Sequence, residues 1–395
     1  MPAEPRLPTE LPDAVVRAMI GEARRVVVKV GSQVLCGPDG LIAAPILDEL
    51  CQALADQLGR KRQIVLVSSG AVALGRGAVG QVPGAADSGS ALGKQALAAI
   101  GQSLLMSRYR ALLGERGIPV AQILLTHSDL GDRGRFLHAR RVVAELMAHG
   151  ALPIVNENDT VAVEEIRFGD NDALAAQVAQ LVEADALVLL TEVDGLYSAD
   201  PRLDPQAKMF RAVSAADQAA LAVAGEGGGK FGTGGMRSKV MAAQQAATVG
   251  IPTVVANGKR SGQLSKVLRG EQVGTVFVPS GQRLSGKRKW ILSSVRAKGA
   301  VVVDEGAVMA LLRDGRSLLP AGVVEVRGRF AVGDAVRVLG PNDKLLGRGL
   351  VRYDAEDARR VMGKRTAAIA GIIGWLPATE LIHRDDFVAA RSARP

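Results

Sequence analysis

ALPIVNENDTVAVEEIRFGDNDALAAQVAQLVEADALVLLTEVDGLY, residues 151–197, decides the fold. It opens on a short apolar strand at 151–155. Two polar clusters follow, Asn156-Glu157-Asn158-Asp159 and Asp170-Asn171-Asp172, with an alternating strand-like pattern between them. A helix pattern covers 172–182, and an apolar strand starting at 186 ends in a loop by 197. Strand, polar connection, helix and buried strand in that order are the unit of a parallel sheet covered by helices.

The same alternation extends outward. Upstream, a strand at 26–30 ends in Gly31-Ser32, a helix fills 44–58, and residues 64–75 read as a strand followed by a glycine turn. Helices at 92–113 and 136–148 flank a strand at 118–125. Downstream, a helix at 236–249 precedes strands at 253–257 and 275–278. The fold class is α/β, a mostly parallel sheet with helices on both faces, whose ligands belong at the carboxyl ends of the strands. The pattern then changes. Residues 279–290 are rich in Gly, Ser, Lys and Arg; beyond them short strands at 300–304, 323–328, 334–340 and 345–353, a helix at 305–313 and a closing helix at 355–362 predict a small β-rich domain. The expected divisions are a disordered leader 1–23, a catalytic domain 24–280, a linker 281–297, a β-rich domain 298–385 and a tail 386–395.

The chain has 395 residues, enough for two cores, and is 48% hydrophobic and 23% charged, as soluble globular proteins are. No apolar run reaches bilayer length, so no membrane partner is expected. The first residues lack a basic start with an apolar centre, which argues against a signal peptide. Two cysteines, Cys36 and Cys51, make no disulfide framework, and a cytoplasmic protein is expected. Residues 283–395 hold 21 Lys and Arg against 12 Asp and Glu, the whole excess of +9. A basic domain is a footprint for polyanions, RNA among them, or a solvated surface.

Several residues have the chemistry of a phosphoryl-transfer site. Lys29, at a strand end beside Gly31, can reach a phosphate; a strand-end lysine is as readily a solvated charge. Ser69, Gly70 and Ala71 end the second strand, where small residues and free N–H groups suit a carboxylate or merely a tight turn. The density of carboxylates and amides in Asn156, Asp159, Asp170, Asn171 and Asp172 requires an ammonium, a cation or N–H donors to offset it. Thr191 and Glu192 follow an apolar strand. Seven glycines at 225–236 lead straight into a helix carrying Lys239, so loop N–H groups and the helix dipole can face an anion. Neither G-x-x-x-x-G-K-[ST] nor G-x-G-x-x-G after a strand is present. The four histidines are scattered, and no metal-ligand spacing occurs.

Together VVVKVGS (26–32), VSSGAVALG (67–75), PIVNENDTVAVEEIRFGDND (153–172), LYSADPR (196–202), FGTGGMRSK (231–239) and VDEGAVMALL (303–312) give the chain a resemblance to the amino acid kinase family, in particular its glutamate kinases. The C-terminal part is similar to a PUA domain, a small β module frequent in RNA-modifying proteins. The resemblance implies a three-layer αβα core and transfer of phosphate from ATP to the γ-carboxylate of L-glutamate, the first step of proline synthesis. Matched position by position, it implies that Ser69, Asp159 and Asn171 contact glutamate, with Gly70, Ala71, Asn156 and Asp170 beside them. Lys29 and Lys239 match the lysines flanking the transferred group, and Asp172 the aspartate that organises them. Thr191, Glu192, Thr233, Gly234, Gly235, Met236, Arg237, Ser238 and Lys239 match ATP-contacting segments, Glu192 standing where the family often has aspartate. ATP with Mg2+, a homo-oligomer and feedback inhibition by proline are implied likewise. The alternatives are a kinase of acetylglutamate or carbamate, and an RNA-binding protein led by the basic domain.

Overall fold

Runs of Val, Ile and Leu build an eight-stranded sheet from β1 (Arg25–Val30), β2 (Gln63–Ser68), β3 (Val120–Leu125), β4 (Leu152–Glu157), β5 (Ala186–Thr191), β6 (Ala212–Ser214), β7 (Thr253–Asn257) and β8 (Thr275–Val278). The computed structural model describes residues 12–37, 39–80, 93–162, 170–215, 217, 219–224, 235–279, 291, 297–374 and 378–390. The chain divides into two compact units, Met1–Arg283 and Leu284–Pro395.

In the first unit the strand order is β3-β4-β2-β1-β5-β7-β8-β6, parallel throughout except for the β7–β8 pair. The helices are α1 (Asp13–Gly21), α2 (Ser32–Leu35), α3 (Ala44–Gly59), α4 (Ala71–Gly80), α5 (Lys94–Gly114), α6 (His127–Gly131), α7 (Arg133–Ala148), α8 (Asp170–Leu181), α9 (Ala219–Val223), α10 (Met236–Ala247) and α11 (Gln263–Leu268). Strand side chains alternate between faces. Val26, Val28 and Val30 join Leu47, Leu54, Leu105 and Leu264 in one core, under α3, α5 and α11. Val27 and Lys29 therefore face the other layer, where α8 lies across β1, β2, β4 and β5. This is the three-layer αβα arrangement. The chain leaves β1 toward β2 on one side and returns through β5 on the other, so the order reverses at β1. In open α/β sheets the crevice outside the carboxyl ends at that reversal is where ligands bind.

Two expectations change. The leader is helical from Asp13, because Arg17 is buried and its guanidinium donates to the carbonyl oxygens of Arg211 (2.9 Å), Glu271 (3.3 Å), Val273 (2.7 Å) and Gly274 (3.0 Å). Residues 1–11 lie outside the described residues. The glycines after Ser69 do not make an extended turn. Gly70 alone turns the chain, at φ +110°, and α4 begins at Ala71. The glycines serve helix packing instead: a Cβ on Gly75 would run into the Leu97 carbonyl oxygen, and one on Gly101 into that of Ala71.

The second unit is a five-stranded sheet, β9 (Gly299–Val303), β10 (Val323–Gly328), β11 (Ala335–Leu339), β12 (Leu345–Leu350) and β13 (Phe387–Ala389), in the order β10-β9-β11-β12-β13. Helices α12 (Glu305–Leu312), α13 (Ala355–Val361) and α14 (Thr366–Ile373) accompany it. Val301, Val303, Val336, Val338, Tyr353, Val361 and Ile369 form its core. Asp304 and Asp354 cap α12 and α13 by accepting from the N–H groups of Ala307 and Asp357. The expected linker 281–297 lies outside the described residues apart from Ile291 and Ala297, as does the tail from 391.

Candidate active site

Three charged side chains meet where the sheet topology puts the crevice. Lys29 comes from the end of β1, Asp172 from the first turn of α8 and Lys239 from the first turn of α10. Their exposures are 6%, 1% and 5%. Lys29 Nζ stands 2.7 Å from Asp172 Oδ1, and Lys239 Nζ 3.2 Å from Asp172 Oδ2. The Ser238 hydroxyl is 2.6 Å from the same Oδ2. Burial alone would raise the pKa of the Asp172 carboxyl; Lys29, Lys239 and Ser238 outweigh it and hold the group well below the usual carboxylate range. Burial lowers the pKa of the Lys239 ammonium, Lys29 adds to that effect, and Asp172 opposes it. Two cations on one anion leave a net positive charge out of water. A site with that surplus favours an arriving anion.

Neutral amides gather beside the trio. Asn171 Nδ2 donates to Ser69 Oγ at 2.9 Å and to Asn156 Oδ1 at 3.0 Å. Asn156 Nδ2 donates to Gln102 Oε1 at 2.8 Å. Ser69, Gly70 and Ala71 lead into α4, whose first N–H groups have no partner within the helix. Asp159 is half-buried in the turn after β4. Asp170 opens α8, and its side chain lies outside the described residues. Of the predicted glutamate-contacting set, the structure thus joins Ser69, Asn156 and Asn171 in one network, with Gly70 and Ala71 adjoining it in the chain.

The predicted nucleotide edge lies across β5. Thr191 is buried at the strand end, and its carbonyl accepts from the Gly258 N–H at 2.7 Å. Glu192 Oε2 is 3.9 Å from Lys259 Nζ. Gly235 is the N-cap of α10, and Met236, Arg237, Ser238 and Lys239 form its first turn; Thr233 and Gly234 lie outside the described residues. Asp194 ties this edge to the next loop, accepting from Asn257 (3.0 Å) and Arg260 (2.5 Å). Asp194 lies in the stretch 191–195 that the sequence offers as a nucleotide edge or an ordinary turn, whereas sequence reasoning did not name Gln102, which sits inside a helix pattern with no polar cluster around it. Burial raises the thiol pKa to about 11 at Cys36 and about 12 at Cys51, so both are packing residues rather than nucleophiles.

The amino acid kinase family model matches residues 24–257, which include the trio, the amide network and the β5 edge, and the PUA domain model matches 299–373. The chain belongs to the amino acid kinase family. A glutamate 5-kinase of Thermus thermophilus is 46% identical over 371 residues, 94% of this chain and 98% of its own length. A glutamate 5-kinase of Pelobacter propionicus is 42% identical over 372 residues, 94% of this chain and 99% of its own. Among solved structures, a UMP kinase from Bacillus anthracis aligns with 67% of this chain and 99% of its own at 16% identity and a TM-score of 0.46. Membership of the amino acid kinase family implies use of ATP. Among the described residues no helix is long and apolar enough to cross a membrane.

Proposed function

We propose that the chain is a glutamate 5-kinase, which transfers the γ-phosphoryl group of ATP to the γ-carboxylate of L-glutamate and so performs the first step of proline biosynthesis. The observation that carries this is the buried Lys29–Asp172–Lys239 trio beside a neutral amide network, in a chain aligned over nearly its whole length with proteins of that name.

The chemistry follows from the parts. A γ-carboxylate has an ordinary pKa of about 4.3 and is ionised at neutral pH, so the nucleophile needs no general base. The obstacle is repulsion between an anion and a polyanion. Lys29 and Lys239 offset it and follow the charge that moves with the phosphoryl group, while Asp172 keeps both ammonium groups aimed. Asp159 pairs with the substrate ammonium, and Asn171 and Ser69 orient the amino acid. Mg2+ is assigned to the nucleotide, arriving on its phosphates, because Asp172 is already engaged by Lys29 and Lys239. A cytoplasmic enzyme, assembly into homo-oligomers and feedback inhibition by proline belong to the same proposal. The basic excess of the second unit supports contact with a polyanion such as RNA.

ADP release with a panel of acidic amino acids tests the assignment, with hydroxylamine present to trap an acyl phosphate. L-Glutamate should give ADP and γ-glutamyl hydroxamate. Turnover of N-acetylglutamate or carbamate with none of glutamate would replace it.

A further inference from the structure

The amide network has a direction. A backbone N–H only donates, so the Glu157 N–H, 2.9 Å from Asn156 Oδ1, fixes which end of the Asn156 amide is oxygen. The Asn156 nitrogen must then face Gln102 Oε1, and the Asn171 nitrogen must face Asn156 Oδ1. Each outer member is left with its other atom: a donor, Gln102 Nε2, and an acceptor, Asn171 Oδ1. Both atoms are buried, and neither has a hydrogen-bond partner. An unpaired buried donor or acceptor is costly, and here one of each polarity ends the same chain of amides.

An α-amino acid carries the complement on a single carbon, an ammonium that donates and a carboxylate that accepts. Gln102 is also held close to the turn suited to the carboxylate. Its neighbour Gly101 lets α5 press against the Ala71 carbonyl, which brings Gln102 alongside the first turn of α4.

Resting on the kinase reading above, we propose that Gln102 is a substrate-binding residue whose Nε2 donates to the α-carboxylate of the phosphoryl acceptor, while Asn171 Oδ1 accepts from its α-ammonium. Gln102 then helps select α-amino acids over simple dicarboxylates and amines, a task the charged trio does not perform.

Two substitutions in the full chain give opposite orders for the two roles Gln102 can play. Gln102→Glu keeps the oxygen that accepts from Asn156 and turns the donor into a second carboxylate oxygen. Gln102→Met keeps the length and removes both. If the side chain touches substrate, Gln102→Glu sets carboxylate against carboxylate and is the worse variant. Its KM for L-glutamate rises about 100-fold and that of Gln102→Met about 10-fold, with the KM for ATP within about twofold in both. If Gln102 only holds Asn156, Gln102→Glu is the milder of the two, and that order overturns the proposal. So does a glutamate KM unchanged in both variants, or a loss shared equally by ATP and glutamate. Thermal unfolding of each variant confirms the fold. Absence of glutamate turnover in the wild type would instead refute the kinase assignment and leave the direction of the network as it stands.

Discussion

The two ends of the site are made of opposite materials. At the phosphoryl end, three ionised groups from three elements are packed out of water, with a net positive charge among them. At the acceptor end, Asn156, Asn171, Gln102 and Ser69 bind one another as neutral dipoles, and the charge assigned there, that of Asp159, is half-buried rather than packed out of water. The division suits the two ligands. Phosphate moves charge during the reaction, and fixed cations that follow it lower the barrier. The amino acid must be oriented with its carboxylate left reactive; further buried cations there would stabilise the ground-state nucleophile as much as the transition state, which lowers KM without raising kcat. The charged end should therefore be read in turnover and the amide end in substrate affinity.

The largest expected effect breaks that contrast at the charged end. Lys239→Met and Lys29→Met should each lower kcat about 10^3-fold, the scale of losing one preorganised charge-stabilising group. Glutamate KM should stay near its wild-type value, the mirror image of the Gln102 variants. Steady-state kinetics in both substrates checks this, with circular dichroism for the fold. A loss confined to glutamate KM would erase the distinction between the two ends.

Asp172→Asn comes next, and here stability is the readout. It leaves two buried ammonium groups without their counter-charge, a change expected to cost about 3–5 kcal/mol. The sign with pH is fixed. The native carboxyl is held below its ordinary range, so its contribution is complete above an unfolded-state value of about 3.9 and is lost as pH falls through the depressed native value. Urea unfolding should show the gap between wild type and variant constant from neutral pH to about pH 5 and narrowing only in more acid solution. A gap that changes near neutrality would mean that another group carries the coupling.

The two ends also differ in how far the sequence disclosed them. Lys29, Asp172 and Lys239 each stand next to a boundary that periodicity reveals, a strand end or a helix start, so local pattern located them. That they converge depends on β1 lying at the reversal of strand order, which the resemblance supplied and periodicity did not. The amide end was half visible. Asn156 and Asn171 lie in conspicuous polar clusters, but Gln102 lies in the middle of α5, more than fifty residues away in the chain, and meets Asn156 only because Gly75 and Gly101 let two helices touch backbone to backbone. Gly70 and Gly75 made the start of α4 read as a turn, since local propensity knows nothing of a helix packed against its first turn. From Asp13 onward the leader was misread for the same kind of reason: α1 is pinned by carbonyls 194 to 257 residues downstream of Arg17.

The smallest effect lies where the charged end uses a neutral group. The Ser238 hydroxyl has one proton and two acceptors in reach, Asp172 Oδ2 at 2.6 Å and the Gly235 carbonyl at 2.8 Å. The charged acceptor is the stronger one, and its hydrogen bond contributes about 1.5–3 kcal/mol. Ser238→Ala keeps both lysines on Asp172, so the trio persists with one fewer restraint on the carboxylate. Turnover should fall about tenfold, two orders of magnitude less than in Lys239→Met, and Ser238→Thr should restore most of it by returning the hydroxyl. If Ser238→Ala were as damaging as loss of a lysine, orientation of Asp172 rather than the positive charge would dominate this end, and the two halves of the site would differ less than their materials suggest.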